Sequence, residues 1–325
     1  MKNILQHAFL KKRLGQVEAY LTDFLSDGPA FISEQASGNL SAGGKRLRPA
    51  FVIMSSEYYN RFDDNIIKVA SMLELIHMSS LIHDDINDNA DLRRGRQTIH
   101  TAFTNDVAAH VGDYILIKAL RHLFEVPNHE RILDLIADTA VEMCKGEIAQ
   151  LNSMFDWKQS IADYNYRIER KTALLIAICC QMGAVMAEAG ASDENAFYQY
   201  GYHLGMAFQM KDDLLDLLNS DAEVGKPTGK DLETGLINLP TILLLNKDFA
   251  EKEHVRHLIS AQFPNGEKDV GYIVNLIKRE GCFAETEKII LNHIQQAKDV
   301  LTQLEKKPIT DLMRSGADFI YERAY

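Results

Sequence analysis

Three aspartates crowd one helical turn at Asp84, Asp85 and Asp88, inside the stretch LIHDDINDNADLRRGRQTIH at 81–100. In a helix Asp84 and Asp88 stand four residues apart and share a face, with Asp85 on the adjoining edge. Two carboxylates ~6 Å apart repel by up to about 3 kcal/mol at an effective dielectric of ~20. The negative end of the helix dipole adds to that cost. A bound cation removes both penalties. Oxygen donors with no His or Cys companion suit Mg²⁺, which takes one or two carboxylates and leaves its other positions to water and phosphate. The plainer reading is a solvated acidic helix end, as most acidic runs are.

A second cluster lies in FQMKDDLLDLL at 208–218. Gln209, Asp212, Asp213 and Asp216 fall at i, i+3, i+4 and i+7, one helical face, while Phe208, Leu214, Leu215 and Leu218 can pack on the others. If the two helices face each other in a bundle, their acids line one cavity mouth, where bundles build metal sites. A di-iron centre would need the Glu-x-x-His pairing, which neither cluster has.

The cations say what such a metal holds. Lys45, Arg46 and Arg48 follow Gly43-Gly44, a pair that permits close backbone approach. Arg93, Arg94 and Arg96 follow the first acids. Lys171 and Thr172 open an apolar helix at KTALLIA, and Lys226 and Lys230 sit in GKPTGKD beyond the second acids. Singly, each reads as an ordinary charge: loop residues at 45 and 46, neutralisation in cis at 93, 94 and 96, a surface cap at 171. Together, paired acids, magnesium and a ring of Lys and Arg describe a polyphosphate site, with forked contacts from Arg and point charges from Lys. No G-x-x-x-x-G-K-[ST] is present, so a P-loop is excluded.

Helical periodicity supplies the elements that must position these groups. It covers about 46–59, 63–83, 105–124, 130–153, 162–188, 194–218, 236–246 and 283–304, with little strand alternation. Gly and Pro punctuate the gaps at 26–29, 41–49, 93–98, 126–128, 223–231 and 263–266. With no long linker or short repeat, residues 1–325 read as one all-α domain. The 325 residues carry a net charge of −11 and 46% apolar residues. That allows a substantial core and argues against nucleic acid as a partner. Four cysteines at 144, 179, 180 and 282 show no metal-site or secreted spacing and read as reduced, core-packed thiols. There is no signal-like N-terminus and no uninterrupted run long enough to span a membrane, so a cytoplasmic location is expected.

GGKRLRP at 43–49, ELIHMSSLIHDDINDNADLRRG at 74–95, GE at 146–147, KTA at 171–173, FQMKDDLLD at 208–216 and GKPTGKDL at 225–232 resemble, in order, the landmarks of the trans-isoprenyl diphosphate synthases. The resemblance spans nearly the whole chain. It is nearest to medium- and long-chain bacterial types such as the hexaprenyl and heptaprenyl catalytic components.

The resemblance implies an all-α isoprenoid synthase bundle around a central cavity, usually a dimer. It implies head-to-tail, trans condensation of isopentenyl diphosphate with an allylic diphosphate, with three Mg²⁺ ions on the allylic diphosphate. Asp84, Asp88 and Asp212 are implied as metal ligands, with Asp85 and Asp216 in support; Asp84, Asp85, Asp88, Lys171 and Asp212 carry catalysis. Arg93, Lys171, Thr172, Gln209 and Lys226 resemble the allylic contacts. Lys45, Arg48, His77 and Arg94 resemble the isopentenyl contacts; His77 alone would read as a core residue.

Ser79 and Ser80, one turn before Asp84, are expected to set chain length. Being small, with no insertion nearby, they imply a product of roughly C30 to C40 for quinone side chains, by family analogy. Tyr114, Leu120 and Phe124 are candidates for a tunnel floor and read equally as core. Lys230 departs from the small polar residue many relatives carry, and Arg323 could reach a phosphate or simply belong to a surface end. A homodimer is expected, or a heterodimer with a small non-homologous subunit, with transient membrane-surface contact for product release. The alternatives are a farnesyl- or geranylgeranyl-length synthase, a terpene cyclase, which the second acidic motif and GGKRLRP oppose, and a regulatory subunit without chemistry, which would have lost acids or bases.

Overall fold

The computed structural model describes residues 4–41, 43–218 and 229–322. The order is helical almost throughout: α1 Ala8–Ser26, α2 Ala30–Ser41, α3 Leu47–Tyr58, α4 Asp64–Asn87, a two-stranded hairpin β1 Leu92–Arg93 and β2 Arg96–Gln97, α5 Ile99–Ala102, α6 Asn105–Leu123, α7 His129–Asn152 and α8 Ile161–Ile168. A π-turn over Glu169–Ala173 leads into α9 Leu174–Met186. Then come α10 Ala191–Leu218, α11 Lys230–Glu233, α12 Leu239–Asn246, α13 Lys252–Ser260, α14 Glu267–Arg279, α15 Cys282–Val300 and α16 Pro308–Glu322. The all-α expectation holds.

Contacts group the chain into two compact units. The first takes the chain up to Ile136 with Cys179–Phe197 and Lys307–Leu312; the second takes Ala137–Ile178, Tyr198–Lys306 and the chain from Met313 on.

In the first unit α4 is the central element, packed by α1, α3 and α6. Its start is fixed by Asp63, whose side chain accepts from the Ile66 amide at 3.0 Å, the usual N-cap bond. Among the described residues α4 alone is long and apolar enough to cross a membrane, but it is largely buried inside the protein. Ser79 lies in the α4–α6 seam, where its hydroxyl donates to the Gly112 carbonyl at 2.9 Å. A Cβ at Gly112 would come within 2.6 Å of His83 Nε2, so a larger residue there would displace that imidazole.

In the second unit Tyr164 and Tyr200 are wholly buried. Each satisfies its hydroxyl, Tyr200 on the Met313 carbonyl and Tyr164 on Asp213, both at 2.7 Å, as buried phenols require. The expected helix over 162–188 is interrupted by the π-turn. Two glycines grip that turn: a Cβ at Gly146 would meet Arg170 Cβ at 2.7 Å, and one at Gly205 would meet Ala173 Cα at 2.4 Å.

Periodicity also passed over α1, α2, α13, α14 and α16. Cys179, Cys180 and Cys282 are buried as expected, but Cys144 is exposed on α7. Phe124 is corrected as a tunnel-floor candidate: it caps α6 at 61% exposure. Leu120 and Tyr114 are half-buried.

Candidate functional site

The candidate residues fall in both units.

In the first, the loop Gly43–Lys45 enters α3 through Arg46, which sits at φ 47. A non-glycine residue in that left-handed region costs on the order of 1 kcal/mol and marks a backbone held by its surroundings. The holding contacts are visible. Arg46 donates Nε to Glu18 at 2.5 Å, Nη1 to Glu74 at 3.2 Å and Nη2 to the Leu40 carbonyl at 2.9 Å. Its guanidinium is occupied by the protein itself. Arg48 differs. Its Nε is buried and, among the described residues, has no hydrogen-bond partner. A buried donor left unmade costs about 1–3 kcal/mol.

Arg94, at φ 53, brings a further guanidinium from the hairpin. Gly44 lets it approach: a Cβ there would lie 2.5 Å from Arg46 Nη1 and 2.8 Å from Arg94 Nη1. His77 lies half-buried among these cations. Burial first, then the charges of Arg48, Arg94, Arg93 and Arg46, hold its pKa well below the usual value. It is therefore neutral at pH 7 and can donate one hydrogen bond without adding charge. A cleft is lined by the charged and polar Arg46, Glu74, His77, Asp85, Arg93 and Arg94 and by the apolar Leu75, Met78, Leu81 and Ile82. Guanidinium groups and apolar side chains lining one cleft suit an anion carrying a short hydrocarbon. Lys45 is exposed beside it in sequence.

The three first-cluster acids are not equivalent. Asp85 is buried and ion-paired with Arg93 at 2.5 Å. Burial still raises its pKa, opposed by the Arg93 charge. Asp84 is half-buried and Asp88, the C-cap of α4, is exposed, its amide donating to the Asp84 carbonyl at 2.8 Å. Ser80 is half-buried and donates to the His77 carbonyl at 2.9 Å.

In the second unit the acids of α10 divide the same way. Asp213 is buried and accepts from Tyr164 at 2.7 Å and from Gln209 Nε2 at 2.8 Å. Burial raises its pKa while these hydrogen bonds lower it. Asp212 and Asp216 are half-buried, four residues apart, and Asp216 accepts from the Asp231 amide at 3.3 Å. Thr172 donates to Gln209 Oε1 at 2.7 Å, so one chain runs Thr172–Gln209–Asp213–Tyr164. Lys171 pairs with Glu147 at 3.0 Å. Sequence reasoning gave Glu74, Glu147 and Tyr164 no role in the site. Glu74 and Glu147 fall inside the family landmarks at 74–95 and 146–147, which was the one signal present for them; Tyr164, in the polar stretch IADYNYRI, carried none. Lys226 and Arg323 lie outside the described residues. Lys230 opens α11 and is exposed.

Among the described residues no three His, Cys, Asp or Glu side chains gather into a metal cage. The donors nonetheless fit Mg²⁺. Each cluster offers two carboxylates four residues apart on one face, while the buried member is tied to a protein partner, which is the partly hydrated, phosphate-sharing manner in which Mg²⁺ binds.

The chain belongs to the polyprenyl synthetase family, which it matches over residues 29–277. It is 36% identical to the heptaprenyl diphosphate synthase component 2 of Geobacillus stearothermophilus over 326 aligned positions, all of both chains. Among solved structures it is similar to the heptaprenyl diphosphate synthase of Staphylococcus aureus, with a TM-score of 0.89 and 30% identity over 99% of each chain. It is also similar to a polyprenyl synthase of Caulobacter crescentus, solved with calcium and isoprenyl diphosphate, with a TM-score of 0.91 and 28% identity over 98% of this chain and 97% of that one.

Proposed function

We propose that the chain is a cytoplasmic trans-prenyltransferase that condenses isopentenyl diphosphate with an allylic diphosphate, repeatedly, to a medium- or long-chain polyprenyl diphosphate of quinone biosynthesis. The observation that supports this reading best is the cleft lined by Arg46, His77, Arg93 and Arg94 together with the apolar Leu75, Met78, Leu81 and Ile82. Arg48, Arg94, Lys45 and the neutral His77 hold isopentenyl diphosphate and leave its double bond over apolar surface. Arg93, Lys171, Thr172, Gln209 and Lys226 hold the allylic diphosphate. Asp84, Asp88 and Asp212, supported by Asp85 and Asp216, hold Mg²⁺, which when bound draws charge onto the departing pyrophosphate. The allylic C–O bond breaks and its electron pair leaves with pyrophosphate. The isopentenyl double bond forms the new C–C bond to the allylic cation, and the proton lost from the adjacent carbon passes to pyrophosphate. Positive side chains fixed in advance around the leaving group are the main catalytic contribution of the protein.

The relatives' name, component 2, favours a second reading of the assembly, in which a small second subunit completes the enzyme. A homodimer is favoured by α7. Ala137, Val141, Cys144, Ile148 and Leu151 repeat at alternating four- and three-residue spacing, and Val141, Ile148 and Leu151 are 55%, 59% and 48% exposed. That is the seam by which like helices pair.

The metal role is tested by chelation and by Asp84→Ala and Asp212→Ala. EDTA stops turnover and Mg²⁺ restores it, and each variant loses nearly all activity with its helical content intact. Full activity in both variants at saturating Mg²⁺ would remove the acids from the mechanism.

A further inference from the structure

Gly146 and Glu147 stand on α7, away from both aspartate clusters in sequence, and the chemistry proposed for the site gives them no task. Their surroundings do. Gly146 faces the π-turn over Glu169–Ala173, and besides Arg170 Cβ at 2.7 Å its missing Cβ would meet the Lys171 amide nitrogen at 3.0 Å. Any side chain at 146 pushes α7 off the turn. With the helix seated there, the Glu147 carboxylate reaches Lys171 Nζ at 3.0 Å. One turn earlier on α7, Glu142 takes Arg170 Nε at 2.8 Å. Two acids of one helix thus hold two consecutive basic residues of the turn.

The turn itself needs holding. A π-turn puts one extra residue into the helical ladder, which changes the direction of every side chain in it, and such turns recur at functional sites. Here it presents Lys171 and Thr172 in succession, with Thr172 bonded to Gln209. Lysine has four rotatable bonds and a compact charge, so its ammonium is poorly localised unless something fixes it. A carboxylate at 3.0 Å does so without an arginine's geometric demands.

We propose that Glu147 is a positioning residue for the reaction: seated by Gly146 against the π-turn, it aims the Lys171 ammonium at the allylic diphosphate. This rests on the prenyltransferase reading. Glu147 itself touches no substrate; it acts through Lys171. Gln in its place retains an acceptor of the same reach, whereas Ala removes it.

The test uses full-length protein in three forms, wild type, Glu147→Ala and Glu147→Gln, with Asp138→Ala, an exposed acid of the same helix, as the control for loss of an acid. Farnesyl diphosphate binding is measured by calorimetry with Mg²⁺ and no isopentenyl diphosphate, followed by steady-state kinetics with each substrate varied. Glu147→Ala is expected to raise the farnesyl diphosphate Kd and KM about 10-fold, the scale of misplacing one charged contact. The isopentenyl diphosphate KM should stay within about twofold, Glu147→Gln should recover most of the loss, and Asp138→Ala should bind as wild type does. Unchanged farnesyl diphosphate binding in Glu147→Ala overturns the proposal, as do equal rises in both KM values or a Gln variant as weak as Ala. Wild-type protein that binds no farnesyl diphosphate would instead overturn the functional reading beneath it.

Discussion

Arg46 and Arg48 are two residues apart in GGKRLRP, where family resemblance alone singled out Arg48, and their surroundings give them different environments. Arg46 is spent on Glu18, Glu74 and a carbonyl, while Arg48 keeps a buried donor open. Arg46→Gln therefore unpairs the buried Glu74 and is expected to cost about 3 kcal/mol of stability, as broken buried pairs do. Arg48→Gln should leave the melting temperature unchanged and raise the isopentenyl diphosphate KM about 10- to 100-fold, the loss of a charge-assisted contact. Thermal melts beside steady-state kinetics check both, and a stability loss from Arg48→Gln would place it with Arg46. The acids divide by the same logic. Spacing alone grouped Asp84, Asp85 and Asp88, because spacing reports a face and not a partner. The Arg93 pairing that takes Asp85 aside comes from a hairpin turn whose φ values of 53 and 76 at Arg94 and Gly95 no periodicity reveals.

Among the elements, α4 was legible from its wide apolar face, and α3, α6, α7, α10, α12 and α15 were found close to their observed limits. The π-turn was not legible, since KTALLIA carries helix formers throughout and the insertion is set by Gly146 and Gly205 on neighbouring helices. Helices α13 and α14 escaped notice although Val255, Leu258 and Ile259 on the one and Val270, Ile273, Leu276 and Ile277 on the other are buried at helical spacing, because charged and polar residues interleave them.

Two predictions belong at this scale. Ser79 is packed into the α4–α6 seam, so Ser79→Phe overfills it at a cost of about 1–3 kcal/mol. Ser80→Phe, at a half-buried position one turn before Asp84, should instead spare the fold and stop elongation early. Radio-chromatography sizes the product, and an unchanged chain length in Ser80→Phe would put the tail elsewhere.

The second concerns α10 and α15, where His203 and His293 meet Nδ1 to Nδ1 at 3.1 Å. Burial and the neighbouring imidazole hold His293 at about 4. A folded pKa below the unfolded value of about 6.5 means the unfolded chain binds more protons on acidification. The pair's contribution is therefore fully present above about pH 6.5 and lost as pH falls towards 4, to the extent of about 3 kcal/mol. His293→Asn should flatten the denaturation profile between those limits, and an unaltered slope would contradict the assignment.

At the scale of the molecule, the net charge of −11 and the apolar stripe on α7 bear on assembly. Ile148→Glu places a charge in the middle of that stripe and should turn a dimer into a monomer in sedimentation at micromolar concentration, with helical content kept. A dimer that survives Ile148→Glu would move the interface off α7. The central claim is chain elongation itself, and its most direct measurement follows label from isopentenyl diphosphate. Purified chain is incubated with farnesyl diphosphate, labelled isopentenyl diphosphate and Mg²⁺, and the diphosphates are hydrolysed and sized. The account predicts label in allylic products that extend stepwise and stop at about C30 to C40, the range family analogy implies. Folded, Mg²⁺-supplied protein that leaves all label in the five-carbon substrate would contradict it.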